Sequence, residues 1–141
     1  MKNRTEQPTP APYTRNSAKW GTAVSTGLNG FQVLPDVLVR NQGNLGLDST
    51  DMMVLINILM HWWQPEEWPY PRPTLIAQRM RITVRSVERH IQRLVELGIM
   101  EWLPRDTSST GPAARRFNLR GLVERLEQLA GGATEHSANA A

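Results

Sequence analysis

Cysteine is absent from this chain, which removes thiolate metal sites, disulfides and thiol catalysis and fits a cytoplasmic protein. Lysine is nearly absent too. Two lysines stand beside fourteen arginines, for a formal charge of +3 and a pI of about 9.9. Arginine forks onto phosphates and guanine edges, so this bias leans mildly towards nucleic acid. No long apolar run occurs: MMVLINILMHWW is interrupted by Asn57, too short to span a bilayer and suited to a buried helix. The opening MKNRTEQPTPAPYTRNSAKW has no apolar segment and is not expected to be a signal peptide. A Gly-rich phosphate loop, a nucleophile elbow and a carboxylate pair are all missing. His61 and His90 lack further ligands at metal spacing. No enzyme activity, metal or cofactor is expected.

What remains is enough for one small domain with tails, since 40% of the 141 residues are hydrophobic. Residues 1–30 are rich in Pro, Thr, Asn, Ser and Gly and read as disordered, and 131–141, GATEHSANAA with its preceding Gly, read as a tail of the same kind. The folded unit is therefore expected at 31–130.

Along that unit, Pro35 stands where a short helix over about 35–42 starts, followed by a Gly-Asn-Leu-Gly turn. Asp48, Ser49 and Thr50 are alternative caps for a core helix over 49–63, with Met52, Leu55, Ile56, Leu59 and Trp63 at helical spacing. Prolines 65, 69, 71 and 73 make the next stretch an extended connection, and Pro73 can occupy the first position of a short helix over 73–80. Thr83 caps a further helix over 84–97, ended by Gly98, with Val87, Ile91, Leu94 and Val95 as its apolar stripe. IMEWL and RRFNL alternate like strands around the polar loop PRDTSSTGPAA, and RGLVERLEQLA closes the unit as an amphipathic helix through Leu122, Leu126 and Leu129.

The order helix, helix, short helix, turn, helix, strand, loop, strand, helix is mainly α with a small β-hairpin. PTLIAQRMRITVRSVERHIQRLVELGIM resembles the winged helix-turn-helix DNA-binding domains of bacteria, with Ala77 under the second helix, Thr83 as cap and Val87 in the next helix's first turn. Leu94 to Ile99 lead into the wing. FQVLPDVLVRNQGNLGLDSTDMMVLINIL and RRFNLRGLVERL extend the resemblance to modules of plasmid and phage replication initiators and mobile-element transcription regulators. Two positions depart from that pattern. Arg81 stands where a turn glycine is usual and needs a left-handed backbone, and Arg72 replaces a capping Ser.

The resemblance implies a winged helix-turn-helix with flanking N- and C-terminal helices, its 84–97 helix lying in the major groove of double-stranded DNA. Arg85 and Arg89 would then reach guanine edges or phosphates, Ser86 either, and Arg93 a phosphate. Thr83 and Arg81 sit beside the helix N-terminus, which itself offers amides to a phosphate. In the wing, 104–116, Arg105, Arg115 and Arg116 would meet backbone or minor groove. Glu88 either accepts from cytosine or pairs with Arg85. The function implied is sequence-specific DNA binding in transcriptional control at a repeat operator. The alternatives are an accessory factor or initiator in plasmid or phage replication or partition, and a protein-interaction module.

Plainer readings stand beside these. The arginine ladder 85/89/93 also suits a solvated face paired with Glu88 and Glu96. Trp62, Trp63 and Trp102 suit the core better than a base-stacking platform, and Trp68 suits packing of the proline connection. His90 suits a surface or hydrogen-bonded position. The Leu122/Leu126/Leu129 stripe either covers the core or pairs two copies as a homodimer.

Overall fold

Pro35 fixes the entry to the first helix of the folded unit, α1 (Asp36–Arg40), leaving its own amide out of the hydrogen bonding. The computed structural model describes residues 17–25, 30–70, 72–104 and 115–139. The chain divides into two units, 1–34 and 35–141. In the first, helical turns at 17–20 and Thr22–Ser25 occupy part of the stretch expected to lack order.

In the second unit a turn over 41–46 ends on Gly46 at φ 81 and returns the chain to Asp48. Asp48 then caps α2 (Ser49–Leu59) reciprocally. Its Oδ1 accepts the Asp51 amide at 2.7 Å, and Asp51 Oδ2 accepts the Asp48 amide at 3.0 Å. Helix α2 buries Met52, Val54, Leu55 and Ile58. It stops four residues short of the expected 63. Pro65 disfavours helical backbone just before it, and the chain closes through single-turn bonds from His61 to Ile58 and Trp62 to Leu59. The early stop removes Trp63 from the core stripe. It is 81% exposed, which corrects the reading of it as a core residue. Trp62 turns inward instead and stacks on Trp68, ring centroids 5.3 Å apart, so the proline connection packs as expected.

Helix α3 (Pro73–Met80) begins on proline and lacks a side-chain cap at Arg72, as the departure from pattern implied. Arg81 ends it at φ 55, ψ 47, the left-handed conformation expected of it, with its amide bonded to the Ala77 carbonyl. Thr83 Oγ1 accepts the Ser86 amide at 3.1 Å and starts α4 (Val84–Glu96). Helix α4 ends in a Schellman arrangement. Gly98, at φ 75, bonds Val95 O, and Ile99 bonds Leu94 O, with Leu94 and Ile99 both fully buried. The Arg125 guanidinium donates to Leu97 O at 3.0 Å, satisfying another carbonyl at that helix end.

Strands β1 (Glu101–Trp102) and β2 (Phe117–Asn118) pair antiparallel, Trp102 opposite Phe117, with ring centroids 3.9 Å apart. Leu103 N–H to Arg116 O extends the hairpin by one bond. On the other side of β2, the Phe117 amide donates to Pro69 O at 2.9 Å, tying the proline connection to the wing. The last helix, α5 (Arg120–Asn139), runs beyond the expected end near 130. It starts against the α4 exit. Leu122 N–H bonds Ile99 O, and a Cβ on Gly121 would collide with the Gly98 carbonyl.

One core joins these elements. Leu38, Leu55, Ile58, Ile76, Val87, Leu94, Ile99, Phe117 and Leu119 are all shut away from solvent, each stabilising the fold by roughly 1.5–3 kcal/mol through burial. The result is a winged helix-turn-helix, α2–α3–α4 plus hairpin, with α1 and α5 flanking it.

Candidate nucleic-acid interface

The apolar stripe of α4 decides what its other face can do. With Val87, Ile91 and Leu94 held in the core, Arg85, Glu88, Arg89, Gln92 and Arg93 are left outward. Thr83, Arg85, Ser86, Glu88 and Arg89 line one shallow hollow at the helix start, so four of the expected contact residues come together. Arg85 and Arg89 are exposed, one turn apart, and neither makes an ion pair among the described residues. Glu88 does not pair with Arg85, and Glu96 accepts from Gln92 at 3.5 Å instead of holding an arginine. Arg81 is exposed just before this face. Thr83 spends its oxygen on the cap, and Ser86 is half-buried.

Arg93 sits differently from its neighbours. Its Nη2 donates to Asp51 Oδ2 at 2.9 Å and its Nε lies 3.2 Å from both carboxylate oxygens. Asp51 has no solvent exposure, and the His90 ring nitrogen Nδ1 donates to its Oδ1 at 2.6 Å. Burial pushes the Asp51 carboxyl up, but hydrogen bonds from Arg93, His90 and the Asp48 amide, with the Arg93 charge, outweigh it and hold it at about 2. A guanidinium expected at a phosphate is thus occupied in joining α4 to α2. His90, expected at the surface or hydrogen-bonded, is buried and hydrogen-bonded.

Asp48, Asp51 and His90 also place ligand atoms within 4.8 Å of one another. The donor set does not fit a cation well, because the Arg93 guanidinium already neutralises Asp51 and a metal would face that charge directly.

In the wing, Arg115 is exposed with its guanidinium 4.7 Å from the Trp102 ring centre. Arg116 is held by structure: it donates to Trp68 O, lies 3.7 Å from Glu67 and covers the Tyr70 ring at 5.4 Å. Arg105 lies outside the described residues. Leu122 and Leu126 are 2% and 9% exposed and Leu129 packs beside them, so the α5 stripe covers its own core.

Reading the sequence missed a second hollow of about 290 Å³ between the α2 exit, the proline connection and the wing. His61, Trp63, Glu67, Tyr70, Arg72 and Arg116 are among the residues that line it. Burial lowers the pKa of His61, with the charges of Arg79 and Arg72 adding to the effect. The available signal was local: aromatic and arginine residues interleaved among prolines. No helix among the described residues is long and apolar enough to cross a membrane.

A family model for the DnaD N-terminal domain matches residues 34–137. The crystal structure of the N-terminal domain of DnaD protein from Geobacillus kaustophilus HTA426 superposes with a TM-score of 0.55 at 18% identity, covering 88% of this chain and 96% of that one. No curated protein sequence matches. At that identity the structural likeness speaks for the fold.

Proposed function

Because the chain belongs to the family of DnaD N-terminal domains, which ties it to DNA replication and to DNA-binding or protein-interaction roles, we propose that it is an accessory DNA-binding domain of replication that docks α4 on duplex DNA. The family favours this over transcriptional control at an operator, which the winged fold alone left first. The observation that carries the reading is the pair Arg85 and Arg89, exposed, one turn apart and without carboxylate partners among the described residues, on the N-terminal half of the helix. Arg81 and the amides of the Thr83-capped turn extend the same positive surface towards a phosphate. Arg93 is left out, since moving it to DNA would strand a buried carboxylate. Among the described wing residues, Arg115 is exposed on Trp102 and can add a backbone contact.

The test is duplex binding by the Arg85→Ala/Arg89→Ala double variant. Affinity falls about tenfold or more, and the slope of log affinity against log salt drops by about two. Unchanged affinity and slope would mean that α4 does not read DNA, and would leave the second reading, a winged helix used for protein contacts. Light scattering of the same protein measures whether copies pair.

A further inference from the structure

We propose that the hollow formed by Trp63, Tyr70, Arg72 and Arg116 binds single-stranded DNA, stacking one unpaired base on Trp63 and holding its phosphate at Arg72. This goes beyond duplex docking by α4, and uses different residues and a different form of DNA.

Trp63 is 81% exposed although it follows an apolar helix. An indole standing in water at the edge of a cleft has its flat face available, and every base offers a matching face. In a duplex those faces are covered by neighbouring pairs, so such a platform selects unpaired nucleotides. The second wall is Tyr70, whose ring has two guanidinium groups near it, Arg72 at 5.5 Å and Arg116 at 5.4 Å from its centre. These cations differ in what they have left to give. Arg116 is held by Trp68 O and Glu67. Arg72 is exposed, donates to the Tyr70 hydroxyl at 3.3 Å beside the same ring, and has no carboxylate partner among the described residues. An anion entering the cleft therefore meets Arg72, whose charge no carboxylate among the described residues neutralises, beside two aromatic rings, while the acidic residue of the lining, Glu67, lies 3.7 Å from Arg116. A stacking platform with a backbone cation is the pairing that single strands use.

The proline connection behind Tyr70 is tied down. The Phe117 amide holds Pro69 O and Trp68 stacks on Trp62, so that side of the cleft needs little ordering on binding. An acidic peptide would satisfy Arg72 but has no general use for the exposed indole face. Charge and stacking together favour the nucleic acid.

The experiment is fluorescence anisotropy of a fluorescein-labelled oligothymidylate titrated with the full chain, beside a labelled duplex as control. Trp63→Ala weakens oligothymidylate binding about tenfold and Trp63→Phe retains most of it. Arg72→Ala weakens it as well and lowers its salt slope by about one, while Trp63→Ala and Arg72→Ala both keep duplex affinity and thermal midpoint. Arg85→Ala/Arg89→Ala does the reverse, losing the duplex and keeping the single strand. The proposal is overturned if the wild-type chain does not bind oligothymidylate, if Trp63→Ala binds it as the wild type does, or if that variant loses duplex and single strand equally.

Discussion

Arg93 on α4 holds Asp51 on α2 through Nε and Nη2, and the carboxylate it holds is closed to solvent. The pair spans the helix that would read DNA and the helix that carries the core. Asp51→Asn removes the charge and leaves one acceptor oxygen where two now serve Arg93, His90 and the Asp48 amide. A loss of about 2–3 kcal/mol is expected, tempered because Arg93 is itself 44% exposed. Urea unfolding measures it, and a loss below 1 kcal/mol would show the network to be incidental.

The same carboxyl sets an acid limit. Its pKa is about 2 in the folded chain against 3.8 ordinarily, so the depressed value contributes stability that is present above about pH 4. That stability disappears as pH falls towards 2, and amounts to about 2 kcal/mol. The stability difference between the wild type and Asp51→Asn should shrink through this window. A difference that stays constant from pH 6 to pH 2.5 would contradict the assignment.

Gly121→Ala tests the seam between α4 and α5. Alanine favours a helix over glycine by up to about 1 kcal/mol, yet here its Cβ runs into the Gly98 carbonyl, which is backbone and cannot swing aside. The net expectation is destabilisation by about 2 kcal/mol. A rise in thermal midpoint would mean that the two turns separate easily.

Arg81→Gly should move stability and binding in opposite directions. Relief of the left-handed backbone at φ 55 contributes roughly 1 kcal/mol, partly offset by the freer unfolded chain. Loss of the charge lowers duplex affinity and its salt slope. Stabilisation with unchanged binding would take Arg81 off the DNA face.

How much of this was legible depended on whether the cause was local. The Thr83 cap, the left-handed Arg81, Pro73 at a helix start and Gly98 at a helix end follow from a few neighbouring residues, and each stands where the sequence put it. The α2 end was misplaced because apolar spacing continues through Trp63 while Pro65, further on, acts backwards on the chain. The occupation of Arg93 was invisible for a different reason. Asp51 lies 42 residues away, and the ladder Arg85, Arg89, Arg93 looks uniform until packing selects one member. The cleft at Trp63 and Tyr70 likewise needs the wing folded against the proline connection, which no spacing encodes.

That connection has a consequence for what the small sheet can accept. Beyond β2 the bond to Phe117 comes from the Pro69 carbonyl, and Pro69 has no amide hydrogen to offer outward. With prolines also at 65, 71 and 73, this border presents too few donors to nucleate another strand. The sheet is sealed on that side against a peptide adding in register and against edge-to-edge aggregation, so a partner approaching there has to engage side chains instead of extending the ladder.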